Sequence, residues 1–429
     1  MDTTTKLKQI AELSQRKPEE VFNNLMHLFN RQSLRECFHE LDGKKALETD
    51  GINKDTYKQK LEENLEGLLK RMEQMAYRPG PVRQVLIPKE GKPGATRPLG
   101  ISNLEDKIVQ KMMQKILEGI YEPLFKDCSY GFRPNRGCHG AIKELEDYLF
   151  THETAVVIDV DISNFFGNIN HQKLLNILRL KISDQKFIRY VARMFKAGIL
   201  ADGELRVSDE GVPQGSICSP VLANIYAHYV VDLWFEEIIS IYYDVKMCRY
   251  ADDIVIVCLH EEEAVKVKAA LHQRLSSYGL ELNEEKTKLV PFSKLSARKG
   301  IQQGSFDFLG FTFYLGKSRK GHTIPKLKTN GKRMRGKLKK VNQWAREMRN
   351  QVELKEMWQV CCAKLLGHIR YYGVSYNSKR TNVFRNRVRE IMFKWINRRS
   401  QKRSMTWEEF TLYEKLSPLP KAMVYVKLF

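Results

Sequence analysis

Tyr250-Ala251-Asp252-Asp253 joins two apolar runs, Val245-Lys246-Met247-Cys248 before it and Ile254-Val255-Ile256-Val257 after it. Apolar runs meeting at a short polar turn predict a β-hairpin with an acidic tip. Adjacent aspartates at such a turn repel each other and add nothing to packing, so a divalent cation that neutralises them is the chemical reason to keep both. The bland alternative is an exposed Asp-Asp turn, and the tetrapeptide alone does not separate the two.

Ala155-Val156-Val157-Ile158-Asp159-Val160-Asp161 supplies the second clue. Side chains alternate along a strand, so both aspartates share one face, with Asp161 at the strand end. Acids confined to the last turn of a buried strand make a poor core and a good metal site, with Asp161 the first candidate and Asp159 the second. Carboxylates on a strand end and a hairpin tip suit nucleotidyl transfer. That reaction needs oxygen ligands for two magnesium ions, one activating the attacking 3′-hydroxyl and one holding the departing pyrophosphate.

Around these acids the chain is ordered as follows. Residues 1 to 75 are helical in character, with Leu61, Leu65, Leu68, Leu69 and Met72 at helical spacing after an Asp50-Gly51 turn. Arg78 to Ile87 passes Pro79 and Pro81 and becomes a strand. The Gly- and Pro-rich loop that follows carries Lys89 and Arg97 on its flanks and is suited to closing over a triphosphate. Leu104 to Phe125 and Cys138 to Leu149 read as helices, with the arginine-bearing segment Ser129 to Arg136 between them. Glu210 to Pro220 is a loop before an apolar helix, Val221 to Phe235. Gly215 permits close backbone approach there, and Gln214 offers a neutral amide to an incoming nucleotide and a template base.

Charge is strongly segregated. Between Lys317 and Arg403 lie 26 Lys and Arg against four acids, a balance of +22, whereas the whole chain of 429 residues carries +21. Interleaved with Trp344, Tyr371, Tyr372, Phe384 and Trp395, these cations fit a surface that neutralises nucleic-acid phosphates; the competing reading is a solvated helical face. Residues 1 to 16 have no apolar signal core, and no run reaches the roughly 18 apolar residues of a membrane span, so a soluble intracellular protein with no membrane partner is expected. Eight cysteines form no Cys-x-x-Cys pair, so neither zinc nor disulfides are expected.

Six ordered segments from about Asp50 to Phe313 resemble the reverse-transcriptase domain of bacterial group II intron-encoded proteins. Gly367-His368-Ile369-Arg370-Tyr371-Tyr372-Gly373 resembles the start of a stretch in their maturase, or thumb, domain. The resemblance implies an α+β, right-hand polymerase fold: fingers and palm with antiparallel sheet, followed by an α-helical thumb. The expected divisions are an N-terminal helical extension at 1–75, fingers and palm at 76–316, a basic thumb at 317–403 and a short tail at 404–429. It implies Asp161, Asp252 and Asp253 as a magnesium triad, Lys89, Arg97 and Lys286 on the triphosphate, and Phe166 beneath the incoming sugar, where a ring excludes a ribose 2′-hydroxyl. Phe165 reads as core.

The implied activity is RNA-directed DNA polymerase, copying RNA from a DNA or RNA primer with deoxynucleoside triphosphates and Mg2+. The implied second role is a maturase binding its parent group II intron RNA, in the bacterial cytosol near the nucleoid. Two departures stand out. Gly167 replaces a frequent acidic residue, and Ser404 to Phe429 hold no cysteine or histidine, so an in-chain nuclease is not expected. Alternatives in view are a domesticated relative in DNA repair or antiphage defence, and a non-enzymatic RNA-binding splicing factor.

Overall fold

The computed structural model describes residues 2–43, 51–88, 94, 96–201, 203–213, 215–400 and 405–428. Asp50, Lys89 and Gln214 lie outside the described residues. The chain gathers into two compact units, one from Met1–Pro88, Gly94–Ala141 and Val160–Lys288, the other chiefly from Ile142–Asp159 and Leu289–Phe429.

The first unit is built around helix α1 (Leu104–Tyr121), which buries residues on nearly every turn, among them Ile108, Met112, Ile116 and Ile120 at four-residue steps. Glu105 and Asp106 occupy its first turn, where carboxylates complement the helix dipole. The expected helix to Phe125 instead tightens into a 3-10 turn over Glu122–Leu124, because Pro123 cannot donate within an α-helix. The N-terminal region is helical over Thr3–Arg16, Arg31–Glu40, Lys54–Gln59 and Leu61–Glu73, the last two separated by a break at Lys60. Leu65, Leu68 and Met72 are buried.

Two sheets complete this unit. β1 (Val82–Pro88) and β2 (Thr96–Ile101) form an antiparallel hairpin with Ile87 opposite Arg97, extended by the short strands Ile199–Ala201 and Glu204–Arg206. β3 (Val156–Ser163), β4 (Val245–Tyr250), β5 (Asp253–Cys258) and β6 (Glu281–Leu282) form the second, in the order β4-β5-β3-β6. Helix α2 (Ser219–Ala227) starts the expected apolar helix, but its continuation widens into π turns over His228–Asp232 and Phe235–Ile239.

In the second unit β7 (Ser305–Phe308), β8 (Phe311–Lys317) and β9 (Thr323–Thr329) make an antiparallel sheet that crosses the 316/317 division. Four helices follow: α3 (Gly331–Met348), α4 (Leu354–Tyr372), α5 (Ser378–Ile396) and α6 (Trp407–Leu416). The segment expected to be a tail contributes α6, and its Phe410 joins Met357, Trp358, Leu365 and Met392 in one apolar core. Trp358 Nε1 donates to the Ser417 carbonyl at 2.9 Å, which fixes the end of α6. Among the described residues no helix is long and apolar enough to cross a membrane.

One buried acid here makes no hydrogen bond among the described residues. Glu146, in the helix Cys138–Thr151, is fully buried and neither carboxyl oxygen has a hydrogen-bond partner. Burial, reinforced by the Asp147 charge and opposed by Lys294, pushes its pKa up to about 8. A carboxyl with a raised folded-state pKa contributes stability that is complete below the ordinary carboxylate range and is lost as pH climbs towards about 8. Thermal unfolding of Glu146→Gln and the parent chain should therefore diverge in favour of the variant between about pH 5 and about pH 8.5. Melting curves that stay parallel across that window would contradict the assignment.

Candidate active site

Asp252 sits at the tip of the β4-β5 hairpin, whose two-residue turn, Ala251-Asp252, is closed by Tyr250 opposite Asp253. Ala251 has φ +58°, a left-handed backbone that costs an L-residue roughly 1–2 kcal/mol. The group that holds it there is Arg249, whose side chain is wholly buried. Its Nε and Nη2 donate to the two oxygens of Asp232 at 2.6 and 2.5 Å. Nη1 donates to Asn224 Oδ1 at 3.2 Å and to the Ala251 carbonyl at 3.1 Å, and Nη2 also donates to Ser129 Oγ at 2.7 Å. All of the guanidinium's N–H groups are thereby satisfied. The ion pair with Asp232 keeps the guanidinium charged despite its burial.

The backbone around Arg249 is pinned as well. Its N–H donates to the Cys128 carbonyl at 2.7 Å, and its own carbonyl accepts from the Tyr130 N–H at 2.8 Å. Asn224 Nδ2 donates to the Gly131 carbonyl at 2.6 Å. A Cβ at Gly131 would lie 2.4 Å from the Ala251 nitrogen, so only glycine lets this segment rest against the turn. The π turns now have a purpose. At about 100° per residue, residues 224 and 232 of a regular α-helix would diverge by roughly 80°. The wider i→i+5 turns over His228–Asp232 rotate less per residue and bring Asn224 and Asp232 towards one face, where both meet Arg249.

Asp161 is fixed by a different device. Its N–H donates to Thr287 Oγ1 at 3.2 Å, and its carbonyl accepts from the Asn283 N–H at 2.8 Å. The Asn283–Thr287 turn is thereby locked to the strand end, and Lys286 Nζ stands 3.2 Å from Asp161 Oδ1. Both side chains are about half exposed, so this pair adds little stability and acts mainly as local charge. Crowding by surrounding atoms pushes the Asp252 carboxyl above its ordinary range. The Asp161 charge adds to the rise, while Arg97 and Arg249 oppose it. Asp252 therefore lies within electrostatic reach of both Asp161 and Arg97.

The donor set fits a hard divalent cation. Two carboxylates that repel each other at an open site supply oxygen ligands, and a bound cation would reverse the penalty on ionising Asp252. Among the described residues no three or more His, Cys, Asp or Glu side chains come together as a group that could hold a metal ion. Magnesium does not require one, since it retains water and takes phosphate oxygens beside one or two carboxylates. Asp253 starts β5 as the cross-strand partner of Tyr250. Asp159 is half-buried on the same face of β3 as Asp161.

Phe166 lies in a 3-10 turn, Phe165–Gly167, just after β3. Phe165 is buried, while Phe166 is half-buried and meets Phe165 and Phe132 edge to face at 5.5 and 6.5 Å. The loop before α2 is stitched to this turn: the Val212 N–H donates to the Phe166 carbonyl at 2.8 Å and the Gly211 N–H to Ile169 at 2.9 Å. It also rests on β2, since Gly215 has φ +110° and its Cβ would lie 2.4 Å from the Gly100 carbonyl oxygen. Gln110 Oε1, from α1, accepts from Ser216 Oγ at 3.0 Å and the Ile217 N–H at 3.1 Å. A cavity of about 190 Å³ opens between this loop, β2 and Gly167.

Residues 87–313 match the family described as reverse transcriptase (RNA-dependent DNA polymerase). The chain is 36% identical over 223 residues to the group II intron-encoded protein LtrA of Lactococcus lactis subsp. cremoris, covering 52% of this chain and 37% of that protein. An uncharacterized 91 kDa protein in the cob intron of Schizosaccharomyces pombe is 34% identical over 228 residues, 52% of this chain and 28% of its own length. Protein YkfC of Escherichia coli is 33% identical over 316 residues, 65% of this chain and 80% of YkfC. The chain thus spans little more than a third of LtrA.

The clamp on the hairpin makes a direct prediction. Arg249→Met leaves the buried Asp232 carboxylate with only the His228 ring 3.8 Å away, a loss of roughly 3–5 kcal/mol. Arg249→Met combined with Asp232→Leu removes both charges and should regain part of that stability. Denaturant titration checks both, and an undiminished single variant or a double variant no better than the single would contradict the clamp.

Proposed function

Given that this chain belongs to the reverse transcriptase family, we propose that it extends a primer on an RNA template with deoxynucleoside triphosphates at the Asp161–Asp252 site. The observation that carries this reading is the placement of Asp252 on a clamped hairpin tip and of Asp161 on β3, the strand next to β5 in the same sheet, with Lys286 3.2 Å from Asp161.

Members of the family use divalent metal ions; here Asp161 and Asp252 would hold two magnesium ions, with Asp253 carried over from the family pattern as the third acid. When bound, the ions supply polarisation of the 3′-hydroxyl and neutralisation of the leaving pyrophosphate. The chain's own residues do the rest. Arg97 and Lys286 present cations to the triphosphate, as Lys89 does in the family pattern. Lys286 exchanges its Asp161 partner for phosphate, an exchange made easy by the exposure of that ion pair. Phe166 sets the floor for the sugar, on a turn held by the Val212 hydrogen bond. Gln214 packs beside the incoming base in the same pattern.

The second part of the proposal concerns RNA. The 26 Lys and Arg against four acids between Lys317 and Arg403 fit a surface for structured RNA. The likeness to an intron-encoded protein supports the chain's own group II intron as that RNA, in a maturase role.

Primer extension on an RNA template tests the active site. Asp161→Asn and Asp252→Asn should each abolish magnesium-dependent extension while template-primer affinity stays within about twofold, since each removes one charge and no volume. Asp253→Asn should lose less. In the same assay Phe166→Ala should raise ribonucleotide use relative to deoxyribonucleotide use. Near-normal extension by Asp252→Asn would overturn the proposal.

A further inference from the structure

Helices α3, α4 and α5 enclose a cavity of about 370 Å³, within the range of small-ligand sites, and its lining includes no carboxylate. Lys337, Lys340 and Lys364 reach it, and Trp344 and Gly367 border it. Trp344 is only half-buried, and Lys364 Nζ lies over its ring at 5.3 Å.

His368 also lines this cavity, and its condition is unusual. The residue is 6% exposed, yet neither ring nitrogen has a hydrogen-bond partner. Its faces are covered by Phe384, stacked at 3.5 Å and 11°, and by Tyr372 at 4.6 Å. What remains is the ring edge, one donor and one acceptor in the neutral imidazole. Burial and the Lys337 charge lower its pKa to about 3, so the ring is neutral near pH 7. A buried polar edge without a partner is a cost that a ligand's own donors and acceptors would offset.

Gly367 points the same way. Glycine inside a helix costs roughly 1 kcal/mol against alanine. Here nothing lies within 4 Å of where its Cβ would be, so no neighbouring group requires the glycine. Its effect is to keep the cavity mouth open.

We propose that this cavity receives a single unpaired nucleotide of a structured RNA, the base entering towards Trp344 and the His368 edge and its flanking phosphates held by Lys337, Lys340 and Lys364. An aromatic wall, a hydrogen-bonding edge and a cationic rim are the three elements by which proteins hold an unstacked base. This inference rests on the reading of the basic helices as an RNA-binding surface, and adds that they distinguish unpaired from paired nucleotides.

The test uses the full chain and two short RNA hairpins, one with a single bulged 4-thiouridine and one with that residue paired. The parent protein should favour the bulged hairpin by roughly tenfold, the scale of one base stacked on an aromatic side chain. Irradiation should crosslink the thiouridine to peptides holding Trp344 or His368. Gly367→Leu improves helix propensity and fills the mouth, so it should retain the fold and its affinity for the paired hairpin while losing the preference and the crosslink. Lys364→Ala, at an exposed position that cannot unfold the core, should weaken the preference. Excess uridine monophosphate should leave the crosslink intact, whereas unlabelled bulged hairpin should remove it. Equal binding of both hairpins by the parent protein, or an unchanged preference in folded Gly367→Leu, would overturn the pocket, and displacement by the mononucleotide alone would overturn its assignment to a structured RNA. Failure to bind either hairpin would instead overturn the RNA-surface reading and the pocket with it.

Discussion

A charged guanidinium in a dry core is tolerated only when every donor finds an acceptor, and Arg249 meets that condition by tying three pieces of chain together. Asp232 and Asn224 come from the helix beginning at Ser219, Ser129 from the segment before helix Cys138–Thr151, and the Ala251 carbonyl from the turn itself. Loss of any one partner strands a buried charge or dipole, so the pieces stand or fall together. The consequence for chemistry is that the acidic tip is placed before any substrate arrives. A backbone strained at Ala251 stays strained because its surroundings over-determine it, a common arrangement at active sites.

Asp161 and Lys286 illustrate the opposite regime. Their ion pair is open to solvent and weakly stabilising, so it is free to rearrange when an anionic substrate brings its own charge. Rigid placement of Asp252 and exchangeable partnering of Asp161 divide the work of a polymerase site between a fixed frame and a responsive rim. The helical unit shows a similar division among its aromatics. Trp395 is buried, with its indole N–H satisfied by Asn342 at 2.9 Å, whereas Trp344 keeps an open flank at a cavity.

Much of this was legible in the sequence, for physical reasons. The hairpin around Asp252, the strand ending near Asp161 and the helix from Leu104 all showed as apolar periodicity interrupted by charge. The frame that positions them was harder to see. Arg249 and Asp232 were passed over in the sequence, although each is a charge set in an apolar run, Met247-Cys248-Arg249-Tyr250-Ala251 and Val230-Val231-Asp232-Leu233-Trp234, and a charge where the pattern demands a hydrophobe implies a buried partner. Nothing local identified the partner, because pairing across 17 residues depends on how the π turns rotate Asp232. Gln110 was hidden similarly, as one amide on a buried helix face. The division placed at 316/317 falls at the end of β8, since a basic block marks where charge begins and says nothing of where a sheet ends. The sheet and α6 show the unit that holds the basic helices beginning earlier and ending later than composition suggested.

If the proposal holds, the carboxylates Asp161 and Asp252 form a cation-dependent site for copying RNA. Single-turnover incorporation of one deoxynucleotide opposite a defined base of an RNA template, followed against magnesium concentration with the unaltered chain, tests it most directly. The expected result is no incorporation in chelator, a saturable rise with magnesium, and full recovery when the metal is restored. Incorporation that persists undiminished in chelator, or its absence on an RNA template at every magnesium concentration, would contradict it.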